Sequence, residues 1–282
     1  MRRKITPGTA LLLSSSAILA FLLILGGLGA WSAGFSRQEA IATQYALDTA
    51  IALGKITPTI TDSALEAFYQ RGVAAYRAKD YPNAITQLDT VVRYRAYRDT
   101  AAYLLLAFKA QGDLQAGQPD KLTVAPLTYA TGLELVKNKG PEVMQGFQRS
   151  PDLLGTATYQ TLLKSIQDQQ FWSDHYARGN SSASFSGGND WWDQTIPEWE
   201  KVYQSNPGYL KDNSLLALNQ RLSDTYKTKA LDLCRVKGDY AGALSAVNRG
   251  LEISYKSKLP EQKQSILLNL YYFITQNQCQ AG

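Results

Sequence analysis

The chain has 282 residues, of which 45% are apolar, 19% charged and 11% aromatic, enough to bury one or two cores and to exclude a wholly disordered protein. Two Cys exclude a disulfide-dense scaffold and a multi-cysteine zinc module, 10 Pro and 21 Gly exclude a collagen-like chain, and a single histidine, His175, leaves little for metal or triad chemistry. A net charge of +5 and a pI near 9.0 raise the question of an acidic partner, and the positions of the charges answer it.

Residues 1–36 hold Arg2, Arg3 and Lys4 and no Asp or Glu, so the rest of the chain carries 26 bases against 24 acids. Between Ala10 and Trp31 lie 22 uncharged residues, which as a helix would reach about 33 Å, enough to cross a bilayer once. The bases immediately before this span predict a cytoplasmic tip over 1–9, a membrane span over 10–31 and everything later outside the cytoplasm. A cleaved secretory signal is the alternative, with small residues at Gly29 and Ala30, but its apolar stretch usually runs only about 7–15 residues. The charge is thus an orientation signal more than a partner signal.

Beyond the span the pattern is helix after helix, with no sustained period-two alternation. Ser36 and Glu39 have the spacing of a capping box opening a helix to about Leu53. Further helices are predicted over 62–79, 82–94, 99–115, 120–137, 152–176, 190–205, 212–237, 240–255 and 261–278. Pro82, Pro151 and Pro260 stand at or just before helix starts, where a missing backbone donor matters little. Residues 178–190 (RGNSSASFSGGND) are small and polar and predict a flexible loop. It separates a first helical unit with inserted helices, 36–177, from a second unit with a terminal capping helix, 191–282.

Within Phe68–Val92, an aromatic, Gly72 and Tyr76 recur at four-residue spacing. Lys79-Asp80-Tyr81 then forms a short turn, and Ala84 and Leu88 follow. Leu231–Leu251 repeats the turn as Gly238-Asp239-Tyr240 with Ala243 in the place of Ala84. This arrangement resembles the tetratricopeptide-repeat family, most clearly in these two places. Partial matches lie at Gln111–Leu114 and Trp192–Pro207. A larger echo links Ala84–Val91 and Tyr97-Arg98-Asp99 to Thr195–Val202 and Tyr209–Asp212, and Gly132–Leu135 to Gly250–Ile253, reading as a duplicated unit with an insertion near 140–190. The resemblance implies an all-α fold of helical hairpins stacked into a solenoid, each unit burying its apolar face on the next. It also implies a protein-binding concave face lined by the first helix of each pair, through Tyr69, Val73, Tyr76, Arg77, Lys109, Asp232 and Arg235. The same residues can equally be packing or solvated positions. The family's basic clamp for a peptide carboxylate has no matching residues here.

Catalytic and cofactor chemistry finds little footing: no phosphate loop, no metal-ligand cluster, no cofactor motif. Asp174 and His175 adjoin, but helix neighbours point apart. Glu198 and Glu200 among Trp191, Trp192 and Trp199 could serve a glycan cleft, although Ile196, Trp199, Val202 and Tyr203 explain the spacing as one apolar helix face. Arg93, Arg95 and Arg98 alternating with Tyr94 and Tyr97 could stack bases, yet they fall in an inter-helix turn outside the cytoplasm, so nucleic acid is not expected. The expectation is a membrane-anchored, non-catalytic protein-interaction or assembly module with protein partners. Its alternatives are a permanent subunit of a membrane complex and, more remotely, a glycan-acting envelope enzyme.

In a solenoid, Cys234 near the end of one helix and Cys279 near the end of the terminal helix would lie at the same end, either bridged or as separate buried thiols. A bridge would close a 45-residue loop, worth about 4 kcal/mol on the chain-entropy argument. Mass spectrometry after alkylation without reductant is expected to find neither cysteine labelled; labelling of both overturns the bridge.

Overall fold

The computed structural model describes residues 60–150, 152–153, 155–184 and 190–276. The capping-box helix at 36–53, the span at 10–31 and Cys279 lie outside them. Among the described residues no helix is long and apolar enough to cross a membrane, and there is no strand. Nine α-helices follow in order: α1 Asp62–Arg77, α2 Tyr81–Tyr94, α3 Thr100–Ala116, α4 Ala125–Arg149, α5 Gly155–Ser184, α6 Trp191–Ser205, α7 Leu218–Asp232, α8 Tyr240–Lys256 and α9 Glu261–Thr275, with a 3-10 turn at Pro119–Lys121 and a π-turn at Leu233–Lys237. Each helix packs chiefly on the helices before and after it in the chain.

The internal echo is a duplication at the level of packing, α2–α4 matching α6–α8. Ala84, Leu88, Val91 and Val92 on α2 are buried, and so are Thr195, Trp199, Val202 and Tyr203 on α6, each 111 residues later. In α3 and α4 the shift is 118: Leu104 with Leu222, Ala125 with Ala243 and Tyr129 with Val247 are buried pairs. The closest approaches repeat too. A β-carbon on Gly132 would lie 3.2 Å from Phe108 and 3.5 Å from Leu105, and one on Gly250 3.3 Å from Tyr226 and 3.5 Å from the Ser223 carbonyl, the same two places on the preceding helix.

Turn chemistry repeats where the residue types differ. Lys79 (φ 62°) and Gly238 (φ 66°) both take the left-handed conformation, and the following Asp80 and Asp239 each accept a backbone N–H three residues on, from Asn83 and Gly242. The cap satisfies a helix donor that has no intrahelical partner. Arg98 (φ 46°) and Leu210 (φ 56°) are likewise left-handed, each just after the tyrosine of the echo.

Three sequence expectations change. Residues 178–184 are helical rather than loop, and only 185–189 fall outside the described residues. Gly179 looked like a loop residue, but it faces Trp199: an added β-carbon would sit 2.4 Å from the indole. Asn180 accepts from Arg221, and the Ser182 and Ser184 hydroxyls donate to the carbonyls four residues back, so the polar side chains of this segment find partners within the helix and on α7. The helix expected at 120–137 starts at Ala125 and continues to Arg149 through a kink where Lys139 leaves helical geometry (φ −130°, ψ 22°), two residues before Pro141. The helix expected from 212 starts only at Leu218, because residues 206–217 form a connection folded by turns and held by Asn213, whose side chain donates to the Gly117 carbonyl.

Replacing Gly179 by Ala is expected to destabilise the fold by about 1–3 kcal/mol, since a rigid ring rather than a flexible chain end opposes the new methyl. A urea midpoint unchanged from wild type would contradict this packing.

Candidate binding cleft

The seven residues expected to line one face differ in burial, from the core to the surface. Tyr69 and Val73 are buried in the core. The Tyr69 hydroxyl donates to Asp99 at 2.6 Å, with its ring edge-on to Tyr97. Tyr76 packs against Tyr81 and Tyr103. Arg77 donates to Asp152 at 2.9 Å, Lys109 pairs with Asp113 one turn away, and Arg235 lies over Phe273. Asp232 stands at the end of α7 with one carboxylate oxygen buried and unbonded. Cys234, in the π-turn, is buried and is not a free thiol.

What crosses between helices is a set of tyrosine hydroxyls given to acids. Besides Tyr69 with Asp99, Tyr129 donates to Asp113 at 2.7 Å, Tyr226 to Glu200 at 2.8 Å, and Tyr97 to Glu66. Burial first, then the adjoining carboxylate, raises the phenol pKa of Tyr69, Tyr129 and Tyr226, so these groups stay neutral donors.

The acidic residues of α6 are similarly engaged. His175 Nδ1 lies 2.6 Å from Glu198 Oε2, with Phe171 edge-on to the imidazole and Lys201 on the other carboxylate oxygen. His175 therefore pairs across to α6 rather than with its neighbour Asp174, a contact hidden in sequence because it spans 23 residues. Burial pushes the Glu198 carboxyl up, but the bonds from His175 and Lys201 outweigh it and hold it below the usual range. Glu200 accepts both Nε and Nη2 of Arg249, at 2.9 and 2.7 Å, as well as Tyr226. Arg249 also reaches Glu252 at 2.6 Å, and Lys256 binds the same carboxylate at 2.7 Å. Bonds from Lys256 and Arg249 hold Glu252 at about 2. Among the described residues no group of His, Cys, Asp and Glu could hold a metal ion.

The same corner of each repeat unit carries a cavity. In the first, Val92, Arg95–Arg98, Thr100, Ala101, Glu142, Gln145 and Arg149 surround about 50 Å³. Its arginines are drawn off by acids: Arg95 binds Asp62 and Arg98 binds Glu66. In the second, Tyr203, Asn219 and Pro260 stand where Val92, Ala101 and Glu142 stand in the first, and an open cleft of about 660 Å³ results. The difference comes from the chain between helices, five residues (95–99) from α2 to α3 against twelve (206–217) from α6 to α7. Pro207, Gly208, Lys211 and Asp212 of that longer connection line it together with Arg249, Lys256 and the turn Ser257–Pro260. Sequence reasoning missed Lys211 and Lys258; the seven extra residues in the echo were the available signal.

No family model matches the chain, and no curated protein or solved structure matches it.

Glu252 is depressed in the folded state, so its pairs stabilise the fold above the ordinary carboxylate range and lose that contribution as pH falls from about 4.5 through about 2. Glu252→Gln is expected to flatten the fall of stability across that window. A urea-unfolding series in which the variant and wild type fall in parallel would show that the pairs contribute nothing.

Proposed function

We propose that this chain is a membrane-anchored protein-interaction or assembly module: residues 10–31 hold it in a bilayer with the amino end in the cytoplasm, and a tetratricopeptide-like solenoid projects outside the cytoplasm to bind protein partners. The observation that carries the reading is the duplicated packing, in which buried Ala84, Leu88 and Val91 on α2 have counterparts in Thr195, Trp199 and Val202 on α6. Hairpins that bury their faces on sequence neighbours expose a long surface suited to protein recognition. A non-catalytic role is supported by the engagement of the candidate acids: Glu198 is held low by its partners, the reverse of what a general acid needs near neutrality, and Glu200 is locked by Arg249 and Tyr226.

A second reading, a permanent subunit of a larger membrane complex, is favoured by Leu127, 66% exposed beside an open groove of about 440 Å³ that also involves Pro126, Ala130 and Ala177 between α4 and α5. Apolar surface of this kind usually marks contact with another protein.

Crosslinking in native membranes, followed by carbonate washing and purification in mild detergent, tests both. The chain is expected to stay with the membrane after washing and to carry crosslinked protein partners. A chain released by the wash removes the anchor, and stoichiometric partners surviving detergent without crosslinker favour the subunit.

A further inference from the structure

The cleft of the second repeat unit goes beyond this reading in one respect: it assigns a chemistry to the partner. We propose that the cleft bounded by Lys211 and Lys258 binds an acidic peptide segment of a protein partner.

The argument starts from the duplication. Both units make a cavity at the same corner, and both line it with cations. In the first unit the short connection keeps the cavity near 50 Å³ and hands Arg95 and Arg98 to Asp62 and Glu66. That corner is neutralised and nearly closed. In the second unit the longer connection opens the corner to about 660 Å³, within the range of about 300–1,000 Å³ usual for ligand sites. The lining then holds Lys211, Arg249, Lys256 and Lys258 against the single acid Asp212. Arg249 and Lys256 are spoken for by Glu200 and Glu252. Lys211 and Lys258 both line the cleft and make no salt bridge among the described residues.

Lys258 ends α8 in a left-handed position (φ 50°), its N–H donating to the Tyr255 carbonyl and that of Leu259 to the Ser254 carbonyl, the same helix-ending turn that Lys79 makes after α1, so glycine fits there without strain.

The remaining lining fits an extended peptide better than a compact ion. Gln204, Asn219, Gln220 and Ser257 offer side-chain amides and a hydroxyl for backbone groups, while Leu259 and Pro260 give an apolar edge. The cations then pair with the carboxylates, an arrangement that sets specificity and on-rate. The site is not the first-helix face implied by the family resemblance; it lies where the ends of α6 and α8 meet the two connections.

This inference rests on the reading of the chain as a protein-interaction module, and its failure is separable from that of the module. Fluorescence anisotropy on the full chain in detergent uses fluorescein-labelled hexaglutamate, with hexalysine and inorganic phosphate as comparisons. Hexaglutamate is expected to bind, more weakly as ionic strength rises. Lys211→Ala with Lys258→Gly, the latter tolerated by the left-handed backbone, is expected to weaken it about tenfold, while Lys164→Ala on α5 leaves it unchanged. The circular-dichroism melt of each variant distinguishes lost binding from lost folding. No hexaglutamate binding, binding equally sensitive to all the lysine variants, or competition by phosphate with no peptide affinity overturns the proposal. If partner crosslinking persists in the double variant with hexaglutamate binding abolished, the module stands and the cleft is not its docking site for that partner. If crosslinking is lost along with hexaglutamate binding, the cleft is that docking site.

Discussion

Adjacent helices in this protein meet through glycine. Gly72 faces Leu88, Gly112 faces Tyr129, Gly132 faces Phe108, Gly146 faces Ala102, Gly179 faces Trp199 and Gly250 faces Leu267 and Tyr226. A glycine inside a helix costs about 1 kcal/mol against alanine, and the contact it permits, a ring or a branched chain lying flat on backbone, recovers that through burial and dispersion. The other packing features follow from these approaches. Because the helices come this close, long residues such as Trp199 and Tyr129 are fully buried, and the helix order in space follows the order in the chain.

Once helices are this close, their polar groups must be matched across narrow gaps. Tyrosine does this well, because its ring supplies apolar area and its hydroxyl reaches past the interface to an acid. Tyr176 shows the fullest use: its ring stacks on Trp199, its hydroxyl donates to the Leu216 carbonyl, and Arg221 both donates to that hydroxyl and lies over the Trp199 ring. The result ties α5, α6, the 206–217 connection and α7 together through one residue. A hydrogen bond of this kind contributes roughly 1 kcal/mol net, and its larger effect is the penalty for leaving the buried group unpaired.

Much of this was legible in the sequence. Helix positions followed from apolar spacing and from Pro82 and Pro260 at helix starts, and the echo of Ala84–Val91 in Thr195–Val202 marked equivalent buried positions. The departures have specific causes. Gly179 and the serines around it carry loop-like composition, and only the partner residue Trp199, twenty positions away, reveals that the glycine is there for contact. The helix expected to end at 137 instead resumes past a kink at Lys139, two residues before Pro141. Tyr69 and Val73 fit a family face by register, but the register says nothing about the neighbouring helix that covers them. Lys211 and Lys258 are ordinary surface lysines in sequence; they become neighbours of one cleft only when two connections distant in the chain fold to the same corner.

The unequal connections also bear on how such a molecule diversifies. Lengthening a loop from five to twelve residues costs under about 1 kcal/mol of closure entropy, less than the loss from trimming a single core leucine to alanine. The buried positions on either side of the 206–217 connection keep their counterparts in the first unit. A copied unit can therefore acquire a new surface at small energetic cost, with the packing that holds the helices left as a conserved frame and the connection free to vary.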